Sequence, residues 1–161
     1  MNWNELYLMQ YELDSFIEKE HGLTEKNLLQ DKLLALFVEA GELANETRCF
    51  KFWSLKGPSE KSVILEEYVD GIHFLLSIGL ETDLRFDQKT VFKTDDSLTS
   101  LFLQFNRHIS EFAKSHTQER YDQMWHVYLL IGEKLDFSAE DTIRAYKEKN
   151  EVNVERQKNK Y

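Results

Sequence analysis

Proline occurs once and glycine six times in 161 residues. So few chain breakers exclude a fold of many short strands joined by tight turns, and they leave stretches long enough for helices. Cysteine is scarcer than glycine. Cys49 alone cannot close an intrachain disulfide, and no His–Asp or His–Asn arrangement near it makes a nucleophile, so it reads as a small buried hydrophobe. Long hydrophobic runs are missing too: the longest, "IHFLLSIGL" at 72–80, is far too short to span a bilayer. With no apolar leader at the start, a cytoplasmic location is the expectation. Positive charge is also short. Twenty Lys and Arg against 29 Asp and Glu give a net charge of −9, which argues against a nucleic-acid polymer as partner, because a phosphate backbone calls for a basic surface.

What is present describes a folded chain. Hydrophobic residues make up 42% and charged residues 30%, a balance that supports a core rather than disorder, and the length suits one domain over 1–161. Apolar residues recur at helical spacing nearly throughout, so the expected class is an all-α bundle. The first helix is expected over about 3–20, with Gln10 on the stripe of Leu6, Leu13 and Ile17. Thr24 is the expected N-cap of a second helix reaching about 47, with Leu29, Leu33, Leu36, Ala40 and Leu43 inward. A turn at Gly57-Pro58 leads into a third helix from about 59 to 80. Residues 82–96 read as irregular. Helices resume over about 97–115, 118–134 and 138–150, and a charged tail over about 151–161 is expected to order against a ligand or partner.

Two features resist a purely structural reading. In "LFVEAGELANETRCF" at 36–50, Glu39, Glu42 and Glu46 share one side of the helix, and no Lys or Arg lies between 33 and 47 to relieve them. Like charges three or four residues apart cost about 0.2–0.5 kcal/mol per pair. In "VILEEYVDGIHFLLSIGL" at 63–80, Glu67, Asp70 and His73 sit within a helix that is apolar almost all round, with no Lys or Arg between Lys61 and Arg85. Carboxylates in such a setting must be paired, protonated or bound to a cation. If the second and third helices lie antiparallel, Glu39 and Glu42 meet Glu67 and Asp70. Four carboxylates without soft ligands suit Mg²⁺ and argue against zinc. Glu46 reads either as a further ligand or as a solvated residue near a helix end. A free nucleotide carried with Mg²⁺ remains compatible with the negative net charge, since the metal supplies the missing positive charge.

ExxE at 39–42 followed by ExxD at 67–70 resembles the metal-binding signature of the all-α NTP pyrophosphatases. Three stretches narrow the resemblance to the dimeric dUTPases: "NETRCFKFWS" after ExxE, "EEYVDGIHFLLSIG" around ExxD, and the late "AYKEKNEVNVERQ". "MQYELD" in the first helix is similar to that family's QxxLN motif, with Asp14 in place of the Asn. The resemblance implies a Mg²⁺-dependent homodimeric hydrolase converting dUTP, and dUDP, to dUMP. By motif position Glu39, Glu42, Glu67 and Asp70 would hold the metal, and Glu39 or Glu42 would activate the attacking water. It further implies that Trp53 and Phe74 flank base and sugar.

Other residues carry two readings each. Gln10 is either a core amide bonded to backbone or a group whose donor and acceptor read the edge of uracil. His73 is either a hydrogen-bonded core histidine or a contact to the sugar or an outer carboxylate. Lys149, Asn153 and Arg156 fall on one helical face if the last helix continues. That face is a solvated basic stripe on composition and a grip for terminal phosphates by resemblance, with Lys51 and Lys56 as weaker candidates. Three rivals remain: a di-iron bundle, for which "DGIH" and "EKEH" are only near-matches; a broader MazG-like nucleotide pyrophosphohydrolase; and a non-enzymatic helical interaction module.

Overall fold

A computed structural model describes residues 1–88 and 93–159. It contains six helices and, among the described residues, no strand: α1 (Trp3–Glu20), α2 (Leu29–Thr47), α3 (Lys61–Glu81), α4 (Leu98–Lys114), α5 (Gln118–Lys134) and α6 (Ala139–Lys158). The all-α bundle expected from the apolar spacing is what forms. Side-chain caps start four of these helices: Asn2, Ser97, Thr117 and Ser138 each accept a backbone N–H from their own first turn. No described helix is long and apolar enough to cross a membrane.

Helix α2 begins four residues later than Thr24 would place it. Its N-cap position, Leu28, has no capping side chain, and Glu81 at the end of α3 accepts the Leu28 N–H at 3.1 Å. Glu81 also binds Lys32 at 2.6 Å. At the other end of the pair, the Ser59 hydroxyl and backbone N–H both donate to Glu46. The start of α2 thus meets the end of α3, and the end of α2 meets Ser59, two residues before α3. The two helices run antiparallel, as the clustering of their acids requires. Glu46 is accordingly not a solvated bystander; it ties the connecting loop down.

α3 is the central helix, with eleven buried residues including Ile72, Leu75 and Leu76. α1 and α6 cover one side of it and α5 another. Contact with α5 is close because Gly71 and Gly132 face the Tyr128 and Tyr68 phenols, where a Cβ would collide. The two tyrosines stack with centroids 4.9 Å apart, and the Tyr128 hydroxyl donates to the Tyr68 carbonyl at 2.8 Å.

Residues 82–88 and 93–96 are irregular, as expected, and part of the segment is tied to the core: Phe86 packs against Trp3 and Trp125, and its N–H donates to the Tyr7 hydroxyl at 2.9 Å. Residues 89–92 of that segment lie outside the described residues, as do 160–161 of the tail. Rather than ending near 150, α6 continues to Lys158. Asn153, Val154 and Gln157 are half-buried, and Gln157 is hydrogen-bonded to the His21 ring at 2.9 Å.

Candidate active site

Ligand oxygens of Glu39, Glu67 and Asp70 lie within 4.8 Å of one another where α2 and α3 face each other. Glu39 is half-buried, and its Oε2 is shut off from solvent with no hydrogen-bond partner among the described residues. Burial, reinforced by the charges of Asp70, Glu42 and Glu67, pushes the Glu39 carboxyl up to about 7. Glu67 and Asp70 are raised as well, burial being the main cause in both. Glu42 is exposed one turn along α2; it adds charge to the group from the rim but supplies none of the three clustered atoms.

Positive charge reaches the cluster from α6. Lys149 Nζ is 2.7 Å from Asp70 and 2.8 Å from Glu66. Burial works against the ammonium charge, yet those two hydrogen bonds leave Lys149 above its ordinary range. One lysine does not neutralise three clustered carboxylates, and Glu39 Oε2 stays unpaired. A donor set of carboxylate oxygens with an orphaned buried member fits a hard divalent cation.

Beside the cluster a cleft of about 260 Å³ opens between α1, α3 and α6. Glu39, Asp70 and Lys149 line one part of it, and Asn153 and Arg156 extend that wall along α6. Gln10, Asp14, His73, Phe74 and Ser77 line the rest. Gln10 is buried, but its partners are side chains rather than backbone. Its Nε2 donates to Asp14 Oδ1 at 2.8 Å, and its Oε1 accepts from the Tyr146 hydroxyl at 2.9 Å and faces His73 Nδ1 at 2.8 Å. His73 therefore contacts no carboxylate of the cluster. Its ring stacks on Tyr146, and burial pushes its pKa down to about 3, so it is neutral at physiological pH.

Of the eleven residues singled out from sequence, eight line the cleft: Gln10, Glu39, Asp70, His73, Phe74, Lys149, Asn153 and Arg156. Glu67 joins through the acid cluster and Glu42 at its rim. Trp53 is not brought to the cleft: it is 64% exposed and packs edge-on against Phe52 and Phe50. The reason is local. Arg48 ends α2 in the left-handed conformation (φ 57°) and fastens the loop on itself, Nη2 donating to Ser54 Oγ at 2.7 Å and Nε to the Lys56 carbonyl at 2.9 Å. Gln157, Ser77 and Asp14 are polar wall residues that sequence reasoning did not select; for the last two a local signal existed. Each of these two sits one turn beyond a residue it did select, His73 and Gln10, and that i+4 spacing was the available signal. A larger open hollow of about 500 Å³, lined by His108, Glu119, Asp122 and His126 among others, has no such acid cluster among the described residues.

A sequence profile of the dUTPase family matches residues 2–161, essentially the whole chain. The chain belongs to the dUTPase family. Membership makes it an enzyme that hydrolyses dUTP, and the all-α bundle is consistent with that family. A search of curated proteins finds no match.

Proposed function

We propose that this dUTPase hydrolyses dUTP, and dUDP, to dUMP with Mg²⁺ held by Glu39, Glu67 and Asp70 and with Glu42 as an outer or additional ligand. The observation that carries the reading is the orphaned, half-buried Glu39 carboxylate facing two further carboxylates at the edge of a polar cleft. Mg²⁺, when bound, neutralises charge building on the phosphoryl oxygens and makes a bound water more acidic.

The chain's own residues do the rest. Glu39, raised toward neutrality by its surroundings, takes the proton of the attacking water. The water oxygen bonds to the β-phosphorus as the bond from that phosphorus to the α–β bridging oxygen breaks; the bridging oxygen leaves with dUMP, and pyrophosphate, or phosphate from dUDP, is released. Lys149, Asn153 and Arg156 present two cations and an amide from one face of α6 to the outer phosphates. Gln10 and His73 read the base, and Phe74 packs against base or sugar.

The proposed assembly is one domain, acting as a homodimer in the cytoplasm. Phe52 and Leu55, 94% and 107% exposed, join Trp53 as apolar surface on the loop after α2 that a second copy would cover. Sedimentation at micromolar concentration tests the dimer: a monomer throughout would refute it. The deciding assay measures pyrophosphate release from each dNTP with and without Mg²⁺. Mg²⁺-dependent turnover of dUTP far above dCTP and dTTP is expected. Comparable turnover of all of them would favour the broader pyrophosphohydrolase reading, and none with Mg²⁺ would end the proposal.

A further inference from the structure

The polar wall of the cleft forms one continuous hydrogen-bond chain, and its direction is fixed at one end. Asp14 accepts at both oxygens: Ser77 Oγ donates to Oδ2 at 2.6 Å and Gln10 Nε2 to Oδ1 at 2.8 Å. Lys32, 3.9 Å away, places a positive charge beside it. Burial raises the Asp14 carboxyl above its ordinary value, while the bonds from Ser77 and Gln10 and the Lys32 charge favour its ionised form. That form offers no proton, so the amide nitrogen of Gln10 faces Asp14 and the amide oxygen faces the other way. That oxygen meets His73 Nδ1 at 2.8 Å, and the Tyr146 hydroxyl donates to it as well. An oxygen cannot donate, so the proton between Gln10 and His73 belongs to Nδ1. A neutral imidazole has one N–H; Nε2 is then a bare lone pair. In the structure His73 is 6% exposed, lines the cleft, and has no partner for Nε2 among the described residues. Stacking on Tyr146, with centroids 4.2 Å apart, holds the ring in that plane.

We propose that Asp14 is a positioning residue that sets this chain's direction, leaving His73 Nε2 as an acceptor that selects a base carrying an imide N–H. Uracil presents N3–H at its pairing edge. Cytosine presents an unprotonated N3 there, so two acceptors would face each other in a desolvated site. A site built around one buried polar group discriminates strongly against the analogue that leaves it unpaired. The inference rests on the dUTP reading above and deepens it. Asp14, where the sequence departs from the Asn of the resembling motif, is the residue it concerns. With a carboxylate there, the chain has one direction only; an Asn could run it in either.

Histidine-selective ¹⁵N labelling of the full chain, with His73 assigned through His73→Gln, reads the proposal directly. Long-range ¹H–¹⁵N spectra should show a protonated Nδ1 and a bare Nε2 in the free protein. Titration with dUMP should move the Nε2 resonance toward a hydrogen-bonded value, and dCMP should not. Asp14→Ala should give mixed His73 tautomers and lower the preference for dUTP over dCTP in kcat/KM by about tenfold or more. Asp14→Asn, whose amide can either accept from Gln10 or donate to it, should restore both only in part. A purely structural role would instead slow both nucleotides alike and leave the tautomer unchanged, and that result overturns the proposal. A protonated Nε2 in the wild-type protein, or equal responses to dUMP and dCMP, overturns it too. If dUTP turnover continues in those cases, the functional reading survives alone; if the tautomer and the dUMP response are as described but no dUTP is hydrolysed, this inference stands and the reaction assignment falls.

Discussion

At the scale of single residues, Glu39 carries the largest conflict between stability and function. Its ordinary pKa of 4.5 rises to about 7 in the folded chain, first through burial and then through Asp70, Glu42 and Glu67. Folding therefore favours the protonated form. The associated stability is complete below about pH 4.5 and is lost as pH rises through about 7. Because the side chain is only half-buried, the cost at pH 8 is on the order of 1 kcal/mol after allowance for screening. Glu39→Gln should thus raise the melting temperature of the metal-free protein at pH 8 by roughly 2–4 °C, give no gain at pH 4, and abolish turnover. Scanning calorimetry at the two pH values checks this; an equal shift at both would contradict the electrostatic account. Lys149 is the counterpart. Lys149→Met removes a cation hydrogen-bonded to Asp70 and should destabilise the chain by about 1–3 kcal/mol without divalent ions. Mg²⁺ should recover part of that loss, and melts with and without Mg²⁺ would show whether it does.

At the scale of the element, α2 holds its acids in place through a cap it does not own. Glu81 of α3 accepts the Leu28 N–H and binds Lys32, whose side chain is only 11% exposed. Glu81→Ala should cost about 1–2 kcal/mol in urea unfolding and speed amide exchange over residues 29–33. Unchanged exchange there would mean that the start of α2 is held by packing alone. This contact also marks what the sequence could and could not reveal. Leu29, Leu33, Leu36, Ala40 and Leu43 are legible as one buried face because helix periodicity is local. Thr24 misleads as a cap because the first N–H groups go instead to Asn27 Oδ1, at 3.0 Å from Leu29 N, and to Glu81, 53 residues away, which only tertiary structure brings near. Glu39 and Asp70 were legible as anomalies, charges with no local partner, while their relief by Lys149 could be read only once α6 had docked. Trp53 was assigned by motif resemblance, yet the left-handed Arg48 and its grip on Ser54 and Lys56 turn the loop outward, a tertiary detail that spacing does not encode.

For the whole molecule, the geometry of the acid cluster depends on how closely α3 rests on α5. Tyr68 and Tyr128 are reciprocal braces: each phenol lies over the glycine of the opposite helix, Tyr68 on Gly132 and Tyr128 on Gly71. Gly71 adjoins Asp70, so pushing α3 away from α5 would displace the carboxylate side of the cleft and not merely loosen the core. Gly71→Ala and Gly132→Ala should each cost about 1–3 kcal/mol, since overpacked helices separate rather than compress. Because both methyl groups press on the same stacked pair, separation forced by the first relieves the second. The double variant should therefore lose less stability than the sum of the two singles. Turnover should fall for Gly71→Ala at temperatures where calorimetry shows the chain still folded, and fall less for Gly132→Ala, which adds its methyl group on α5 rather than beside Asp70. Strictly additive stability losses, or equal turnover in the two singles, would show that the tyrosine braces are independent and that the cluster does not depend on the spacing of α3 and α5.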